Sequence, residues 1–508
     1  MSTNTPPKAG NREWIGLAVI ALPCLLYAMD LTVLYLAVPH LTAALKPSSS
    51  QLLWIVDIYG FLVAGFLVTM GTLGDRIGRR KLLLIGAAAF GVASVLAAFS
   101  NTSEMLIATR ALLGITAATL APSTLSLIRN MFLDDQERTM AIGIWGTSFS
   151  FGGAIGPLVG GVLLEHFWWG SVFLLSVPVM ILLLIVGPKL LPEFKDPNAG
   201  NLDILSAILS LASVLLIIYG FKRVAEAGWD LICILSILSG IGVGVLFVRR
   251  QKTLADPLID LALFRIPQFS GALIANTLTI FVALGTFLFI AQYLQLVLGL
   301  SPLQAGLWTI PSAIANIVGS LTVPVLIRKV RPVYIIIGGL VLAAIGLWLY
   351  SQVDGVSGLM NIVVGSVILS LGICAVVILG TDIIVAAAPP ERAGAAASIS
   401  ETGAEFGGVL GIAVLGSIGT AVYRNQMKDV VAIGASQEAT NAAQNTLGAA
   451  VALAKELPDQ FGAALLLSAK EAFTDSMQLV SLICAILTGL LVISVLVLLK
   501  NMRKEEGT

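Results

Sequence analysis

Charged side chains are scarce in this chain. Asp, Glu, Lys and Arg together make up 11% of its 508 residues, whereas they make up about a quarter of an ordinary soluble domain. A soluble protein of this length needs a more polar surface than these residues can supply, so the composition excludes a soluble enzyme and a disordered chain. The 29 basic residues balance 29 acidic ones, and this lack of basic excess argues against a nucleic-acid partner.

Cysteine and histidine are also rare. The sequence has four cysteines and two histidines, which are Cys24, Cys233, Cys374, Cys484, His40 and His166. Every cysteine lies inside an apolar stretch, which indicates small membrane-embedded side chains rather than a disulfide framework or metal ligands. No zinc motif, nucleophile elbow or phosphate-binding loop occurs, which argues against a membrane-embedded enzyme. We expect no cofactor and no metal, and without a nucleotide-binding motif any transport should draw on the proton gradient.

Long apolar runs dominate the rest of the sequence. Apolar residues make up 57% of the chain, and they form fourteen runs, each long enough to span a hydrocarbon core of ~30 Å. Strand-like alternation is absent, which argues against a membrane barrel. The prediction is therefore an all-α membrane protein with fourteen transmembrane helices. The predicted limits are 14–38, 51–73, 81–99, 104–128, 140–164, 169–190, 203–221, 229–248, 268–298, 303–327, 333–350, 359–387, 394–422 and 477–499.

Basic residues are distributed unevenly between the two sides of this topology. With the N-terminus inside, the inner segments hold 21 Lys or Arg and the outer loops hold 7, and basic residues favour the cytoplasmic side. Both termini are therefore expected in the cytoplasm. The first apolar run is too long for the core of a signal peptide, so we expect it to remain in the mature protein.

A weak internal sequence repeat indicates two related halves. Gln51–Trp54 opens the second span and Ala305–Trp308 opens the tenth, about half the chain later. Repeats of this kind are typical of secondary transporters. We predict an N-terminal six-helix half over residues 1–198, two inserted helices (the seventh and eighth) over 199–264, and a C-terminal six-helix half over 265–508 with a long outer loop over 423–476.

Three local patterns stand out within this topology. The segment after the second span reads GTLGDRIGRRK over 71–81, where glycines allow a tight turn and Asp75 can cap the next helix or pair with an arginine. The fourth span carries Arg110 followed by small residues, and the fifth is glycine-rich around a proline. Taken singly, these patterns also fit a positive-inside stop signal and a kinked packing face. The residues singled out are Gly71, Gly74, Asp75, Arg76, Gly78, Arg79 and Arg80 in the loop, and Gly152, Gly156, Pro157, Gly160 and Gly161 in the fifth span.

The order of these patterns resembles the signatures of the major facilitator superfamily. The loop matches at nearly every defined position, and the Arg110 segment is similar to the second signature, with Leu113 in place of the usual Gln. The fifth span resembles the signature of antiporters. The first span over 26–39 and the start of the second over 51–59 look like those of the fourteen-helix drug:proton antiporters. Over essentially the whole chain, the closest resemblance is to bacterial quaternary-ammonium and methyl viologen efflux proteins.

This resemblance implies a function. It implies a monomeric transporter of the bacterial inner membrane that exports lipophilic organic cations, such as quaternary ammonium compounds, cationic dyes and biocides, in exchange for protons. It also implies that the loop 71–81 latches the inner side as the two halves rock. An exporter of one specific solute, such as an amino acid or a siderophore, is the alternative on the same fold, although acids within the spans favour a cationic cargo.

Ionisable residues within the spans are candidate functional residues, because placing a charge in lipid is costly. Asp30 and Arg110 are predicted at a similar depth in the outer half, which would allow an ion pair. Glu401 and Glu405 are four residues apart, which places them on one helix face with their Cβ atoms about 6 Å apart. We expect that pair to titrate as a coupled unit and to exchange protons for a cation, with a purely structural role as the alternative. Asp57 lies nearer the outer surface and is a candidate for the same site or for its entrance.

Further candidates are weaker. Asp382, near the inner end of the twelfth span, is interpreted mainly as an inner-gate residue. Asn316 occupies a position at which some members of the resembling family carry an acid linked with divalent cations, so the handling of dications stays open. Several aromatic side chains are candidates for cation–π contact, although each alone is more often a packing residue. They are Trp54, Tyr59, Trp145, Phe149, Trp308 and Phe406.

Overall fold

A computed structural model of the chain describes residues 8–45, 47, 49–195, 203–227, 229–254, 257–300, 302–354, 358–389, 392–428, 430 and 436–500. These residues are almost entirely helical. The helices are α1 (Asn11–Leu45), α2 (Ser49–Ile77), α3 (Arg79–Ala98), α4 (Ser103–Ala117), α5 (Leu120–Met131), α6 (Asp135–His166), α7 (Ser171–Leu174), α8 (Ser176–Leu190), α9 (Ile204–Ala227), α10 (Leu231–Gln251), α11 (Pro267–Gln292), α12 (Pro302–Leu326), α13 (Pro332–Ser351), α14 (Gly358–Ala387), α15 (Ala393–Met427), α16 (Gln437–Asn445), α17 (Leu447–Ala454) and α18 (Asp459–Lys500).

The helices agree with the predicted membrane spans. Among the described residues, thirteen helical stretches are long and apolar enough to cross a membrane. The fifth predicted span coincides with α6, a 32-residue helix rich in glycine. The predicted fold class is confirmed, and the chain is an all-helical, multi-pass membrane protein.

Two predicted spans are each built from two helices. The fourth span breaks between α4 and α5, just before Pro122, and the sixth breaks between α7 and α8, just before Pro178. Proline has no backbone N–H to donate to the carbonyl four residues earlier. The chain therefore bends where each of these hydrogen bonds is missing.

The loop predicted over 71–81 is much shorter in the structure. Helix α2 continues to Ile77 and α3 starts at Arg79, so Gly78 alone makes the turn, with φ of 113°. That left-handed backbone favours glycine. Glu193 accepts hydrogen bonds from the backbone N–H groups of Arg80 and Lys81 at 3.1 and 3.2 Å. The carboxylate thereby satisfies free amides at the start of α3.

The segment predicted as a long outer loop over 423–476 is largely helical. Helix α15 extends to Met427, α16 and α17 follow, and α18 begins at Asp459, well before the predicted span. The reason is a buried apolar face on the first turns of α18, which includes Leu465, Ala469 and Phe473. Packing of that face stabilises helix beyond the apolar run itself.

Two helix bundles and a hairpin contain every helix named above except α16 and α17, which pack against α15 and α18. The N-terminal bundle contains α1–α8, and the C-terminal bundle contains α11–α15 and α18. Helices α9 and α10 pair with each other, and α9 packs against both α2 and α15, one helix from each bundle. Ion pairs link α9 and α10 at both ends, Arg250 to Asp203 at 2.7 Å and Arg223 to Asp230 at 2.6 Å. The exact domain boundaries stay a prediction.

Candidate transport site

The site lies between the two bundles, and two ends of the molecule define it. We call the end with the α2–α3 turn at Gly78 the α2–α3 end. The opposite end, where α1 ends at Leu45 and α2 begins at Ser49, is the α1–α2 end. Helix α1 runs from the first to the second. Asp30 and Tyr27 lie near its middle.

Asp30 and Arg110 form an ion pair across α1 and α4. Arg110 Nη1 donates to Asp30 Oδ2 at 2.6 Å, and its Nε donates to the carbonyl of Ile55 at 3.2 Å. The guanidinium lies 4.6 Å from the ring centre of Tyr59. Arg110 is 0% exposed, so these partners replace the water that its charge would otherwise need. The ion pair between Asp30 and Arg110, which their similar predicted depth allowed but did not establish, is therefore present.

Glu401 and Glu405 lie on one face of α15 and are both partly buried. The hydroxyl of Tyr27 donates to Glu405 Oε1 at 2.9 Å. This hydrogen bond joins α1 of the N-terminal bundle to α15 of the C-terminal bundle. Tyr27 was missed by the sequence analysis, although its place one helical turn before Asp30 puts both residues on one face of α1.

Aromatic rings from the N-terminal bundle lie beside these carboxylates. The Tyr27 ring lies 5.9 Å from that of Tyr59 and 5.7 Å from that of Phe149, and Phe149 in turn lies 4.7 Å from Trp145. Trp145 Nε1 donates to Thr124 Oγ1 at 3.0 Å. We refer to Tyr27, Tyr59, Trp145 and Phe149 as the aromatic cluster. A cluster beside carboxylates suits an organic cation, because ring faces attract positive charge.

The other predicted site residues do not join this cluster. Trp54 and Trp308 are 41% and 43% exposed, as expected for residues on an outward surface. Phe406 is partly buried on α15, and no ring contact ties it to the cluster within the described part of the chain. The side chain of Asp57 lies outside the described residues.

The glycines of the fifth span bring α6 close to α1. A Cβ on Gly152 would overlap the carbonyl oxygen of Leu25, and one on Gly160 would lie 2.7 Å from Val33. These glycines are therefore needed for close approach to the helix that carries Tyr27 and Asp30. Gly156 is buried, Gly161 faces open space, and the side chain of Pro157 lies outside the described residues.

The α2–α3 end is closed by Asp75 and Arg79. Asp75 pairs with Arg79 and accepts the backbone N–H of Ala395 at 3.0 Å. Asp75 thus caps α15 in the other bundle, and not the next helix along the chain. The Arg79 side chain fills the space above Gly394, where any Cβ would overlap it, and Gly71 lies against Gly394 and Ser398.

A second contact at the same end involves Asp382. Arg138 Nε donates to Asp382 Oδ1 and Thr139 Oγ1 donates to Asp382 Oδ2, both at 2.7 Å. This contact links α14 to the start of α6. Asp382 therefore lies at the α2–α3 end, and its role as an inner-gate residue stays a prediction. No pattern in the sequence indicates Arg138 as its partner.

The remaining residues of the predicted latch hold the α2–α3 turn within the N-terminal bundle. Arg80 Nη1 donates to the carbonyls of Pro188 and Leu191 at 3.2 and 3.0 Å. A Cβ on Gly74 would overlap the side chain of Arg79, so a residue with a side chain at position 74 would displace Arg79. Arg76 lies in the last turn of α2. The predicted loop therefore contains residues that contact the other bundle and residues that anchor their own.

The family is decided by comparison of the whole chain with known proteins. A family model described as Major Facilitator Superfamily matches residues 20–412. The chain belongs to the Major Facilitator Superfamily. It is therefore a member of a transporter family rather than of a family of catalytic enzymes.

Named relatives of this superfamily protein match along almost its full length. It is 44% identical over 486 residues to the multidrug efflux pump LfrA of Mycolicibacterium smegmatis, which covers 96% of this chain and 95% of the relative. It is 37% identical over 474 residues to the methyl viologen resistance protein SmvA of Salmonella typhimurium, with 91% and 93% covered. The predicted resemblance to methyl viologen efflux proteins is confirmed.

Solved structures of transporters share the fold of this superfamily member. The human organic anion transporter MFSD10 superposes with a TM-score of 0.58 at 17% identity, covering 95% of this chain and 100% of that one. A bacterial homologue of the human lysosomal transporter Spinster, in an inward-facing and unoccupied conformation, superposes with a TM-score of 0.55 at 16% identity, covering 97% and 99%. At this identity the likeness concerns the fold alone.

Within this superfamily fold, the site combines carboxylates from both bundles. Asp30 belongs to α1, and Glu401 and Glu405 belong to α15, while the aromatic cluster comes from α1, α2 and α6. Movement of one bundle relative to the other would therefore change the distance between acids and rings. A site of this composition can bind a cation or protons, and the contacts of Asp75 and Asp382 join the two bundles at its α2–α3 end.

Proposed function

We propose that this protein is a proton-coupled antiporter that exports lipophilic organic cations across the bacterial inner membrane. The observation that carries the proposal is the meeting of Asp30, Glu401 and Glu405 with the aromatic cluster between the two bundles. The names of the relatives, a multidrug efflux pump and a methyl viologen resistance protein, support export of foreign compounds. Methyl viologen is itself an organic cation.

The aromatic cluster supports a cargo of lipophilic cations. A quaternary ammonium or phosphonium centre has no N–H or O–H to donate, so a protein recognises it through carboxylate charge and ring faces. A cation–π contact contributes about 0.5 kcal/mol at an exposed site and about 2 kcal/mol when desolvated. Several neighbouring rings would add to this without requiring one fixed cargo shape, which is the property expected of a multidrug site.

The glutamate pair supports proton coupling. Two glutamates four residues apart on one helix face, with Cβ atoms about 6 Å apart, repel each other when both are ionised. A proton or an organic cation relieves that repulsion, and each hinders binding of the other. Because the two acids interact, they titrate as a pair, and the pair links cation release to proton uptake.

The closed α2–α3 end supports a direction for the cycle. In the proposed topology this end faces the cytoplasm, since the basic residues lie mainly on that side, and both termini are cytoplasmic. In the proposed cycle, a site that is closed at this end exchanges with the outside, where protons enter and the cation leaves. Breaking the contacts of Asp75 and Asp382 would open the protonated site to the cytoplasm. The next cation would then bind there and displace the protons.

A reconstitution experiment tests the proposal. Purified protein in liposomes with an acidic lumen, and with the membrane potential clamped at zero, should accumulate tetraphenylphosphonium from the bath and release protons. The Glu401→Gln, Glu405→Gln double variant serves as the matched control and should do neither. Accumulation that ignores the pH gradient would overturn proton coupling, and absence of uptake for every lipophilic cation would overturn the cargo class.

A second candidate function is export of one particular compound. More distant relatives carry names of this kind, such as the tetracenomycin C resistance and export protein of Streptomyces glaucescens, 32% identical over 408 residues. The same liposomes discriminate the two. Uptake of several unrelated cations supports the multidrug function, whereas uptake of a single compound from a broad panel supports this alternative.

A further inference from the structure

Tyr27 occupies a special place among the contacts between the bundles. The contacts at the α2–α3 end use Asp75 and Asp382 as acceptors, and neither belongs to the proposed proton site. The Tyr27 hydroxyl instead donates to Glu405, which does belong to it. Protonation of Glu405 therefore acts directly on a hydrogen bond that holds α1 against α15.

The strength of that bond depends on the charge of Glu405. A hydroxyl donates about twice as strongly to a carboxylate as to a neutral oxygen. The closed α2–α3 end described here is therefore stabilised while Glu405 is ionised and loses part of that stabilisation once Glu405 is protonated. Protonation of Glu405 therefore favours opening of the α2–α3 end, and opening after proton uptake is the step that a proton-driven exporter needs.

We propose that Tyr27 is a positioning residue that couples the protonation of Glu405 to closure of the α2–α3 end. The inference rests on the proposed function, because it takes Glu405 as a proton site. Tyr27 is suited to the role because its ring is fixed on one side by Tyr59 and Phe149. A fixed ring places its hydroxyl at one position, so the bond to Glu405 reports whether α1 and α15 are close together.

Other charged or titratable groups face the same region from the surrounding helices. Glu401 lies on the same helix as Glu405, and Arg110 is already paired with Asp30. Tyr59 has a buried hydroxyl with no hydrogen-bond partner among the described residues. In the part of the chain that is described, the groups from the packed helices are Cys24 and Asp30 of α1, Tyr59 of α2, Arg110 of α4 and Glu401 of α15.

The test measures how the α2–α3 end responds to pH. Spin labels are placed at Lys81→Cys and Lys329→Cys, two exposed positions at this end that belong to different bundles, in protein whose native cysteines are replaced by alanine. The ratio of long to short label distances is recorded in lipid nanodiscs from pH 8 to pH 5.5. In the parent this ratio rises as the pH falls.

The Tyr27→Phe variant keeps the ring and removes the hydroxyl. We expect the pH-induced change in the distance ratio to shrink several-fold, because the bond whose strength depended on the charge of Glu405 is gone. Tyr350→Phe is the matched control: it removes another buried tyrosine hydroxyl, bonded at 2.7 Å to Ser366 inside the C-terminal bundle, and should respond to pH like the parent.

The outcomes separate this inference from the proposed function. If Tyr27→Phe responds to pH like the parent while Glu405→Gln does not respond, Tyr27 is not the coupling residue and Glu405 remains the proton site. If the Glu401→Gln, Glu405→Gln double variant also responds like the parent, the proton site itself is wrong. If Tyr27→Phe is misfolded, Tyr27→Leu, whose side chain has no hydrogen-bond donor, is measured with the same expectation.

Discussion

Arg138 has two carboxylate partners, and their exposure predicts very different effects on closure of the α2–α3 end. Its Nε bonds to Asp382 at 2.7 Å, where both side chains are largely buried, at 6% and 12% exposed. Its Nη1 bonds to Asp135 at 2.8 Å, but the side chain of Asp135 is 85% exposed. Only the first pair joins the two bundles. We therefore predict that Asp382→Ala opens this end and that Asp135→Ala hardly affects it.

The expected magnitudes follow from these contacts. Asp382→Ala removes a charge-assisted bond from Arg138 and a second bond from Thr139, and it leaves a buried donor without its partner. Together this costs the closed state about 2–3 kcal/mol, which corresponds to a shift of roughly 30- to 150-fold towards the open state. The exposed pair with Asp135 contributes about 0.2–1 kcal/mol, and most of that is retained when the end opens because both residues lie on α6.

The same pair of spin labels at Lys81→Cys and Lys329→Cys measures this prediction. The ratio of long to short distances at one fixed pH should rise strongly for Asp382→Ala and remain within a fewfold of the parent for Asp135→Ala. Equal shifts for both variants, or no shift for Asp382→Ala at normal expression, would refute the argument that the buried contact between α14 and α6 holds this end closed.

Three further variants test the site itself. Asp30→Asn should lower transport of monovalent organic cations at least tenfold while the protein remains in the membrane, because the carboxylate is lost but its shape is kept, as measured by cell resistance to a quaternary ammonium compound. Arg110→Ala should alter the pH dependence of transport in liposomes, since Asp30 loses the positive charge beside it. Gly152→Val should abolish transport because its side chain would collide with the backbone of α1 at Leu25, whereas Gly153→Ala, which faces open space, should transport normally.

Each of these has a contradicting result. Near-normal resistance with Asp30→Asn would remove this acid from the cation site. An unchanged pH profile for Arg110→Ala, at equal protein level, would make the arginine purely structural. If Gly152→Val transports as well as Gly153→Ala, close packing of α6 on α1 is not required for the site.

The sequence determined the class of the protein and most of its helices. A low content of charge and fourteen long apolar runs leave helices across a membrane as the stable arrangement, because every backbone N–H and C=O must be satisfied without water. Local patterns identified Arg110 and the α15 glutamates because charge is unusual inside lipid. They identified the glycines of α6 because closely spaced small residues allow helices to pack closely. Even so, prolines at 122 and 178 broke two spans that the apolar runs alone predicted as continuous.

Contacts between distant residues were decided only by the tertiary structure. No pattern within α1 pairs Tyr27 with Glu405, and no pattern within α6 pairs Arg138 with Asp382, because each pair is separated by hundreds of residues. The role of Asp75 shows the same limit, since it was predicted to cap the next helix or to pair with arginine. In the structure it also caps α15 of the other bundle. Periodicity reports which face of a helix is buried, whereas the partner on that face depends on how the two bundles pack.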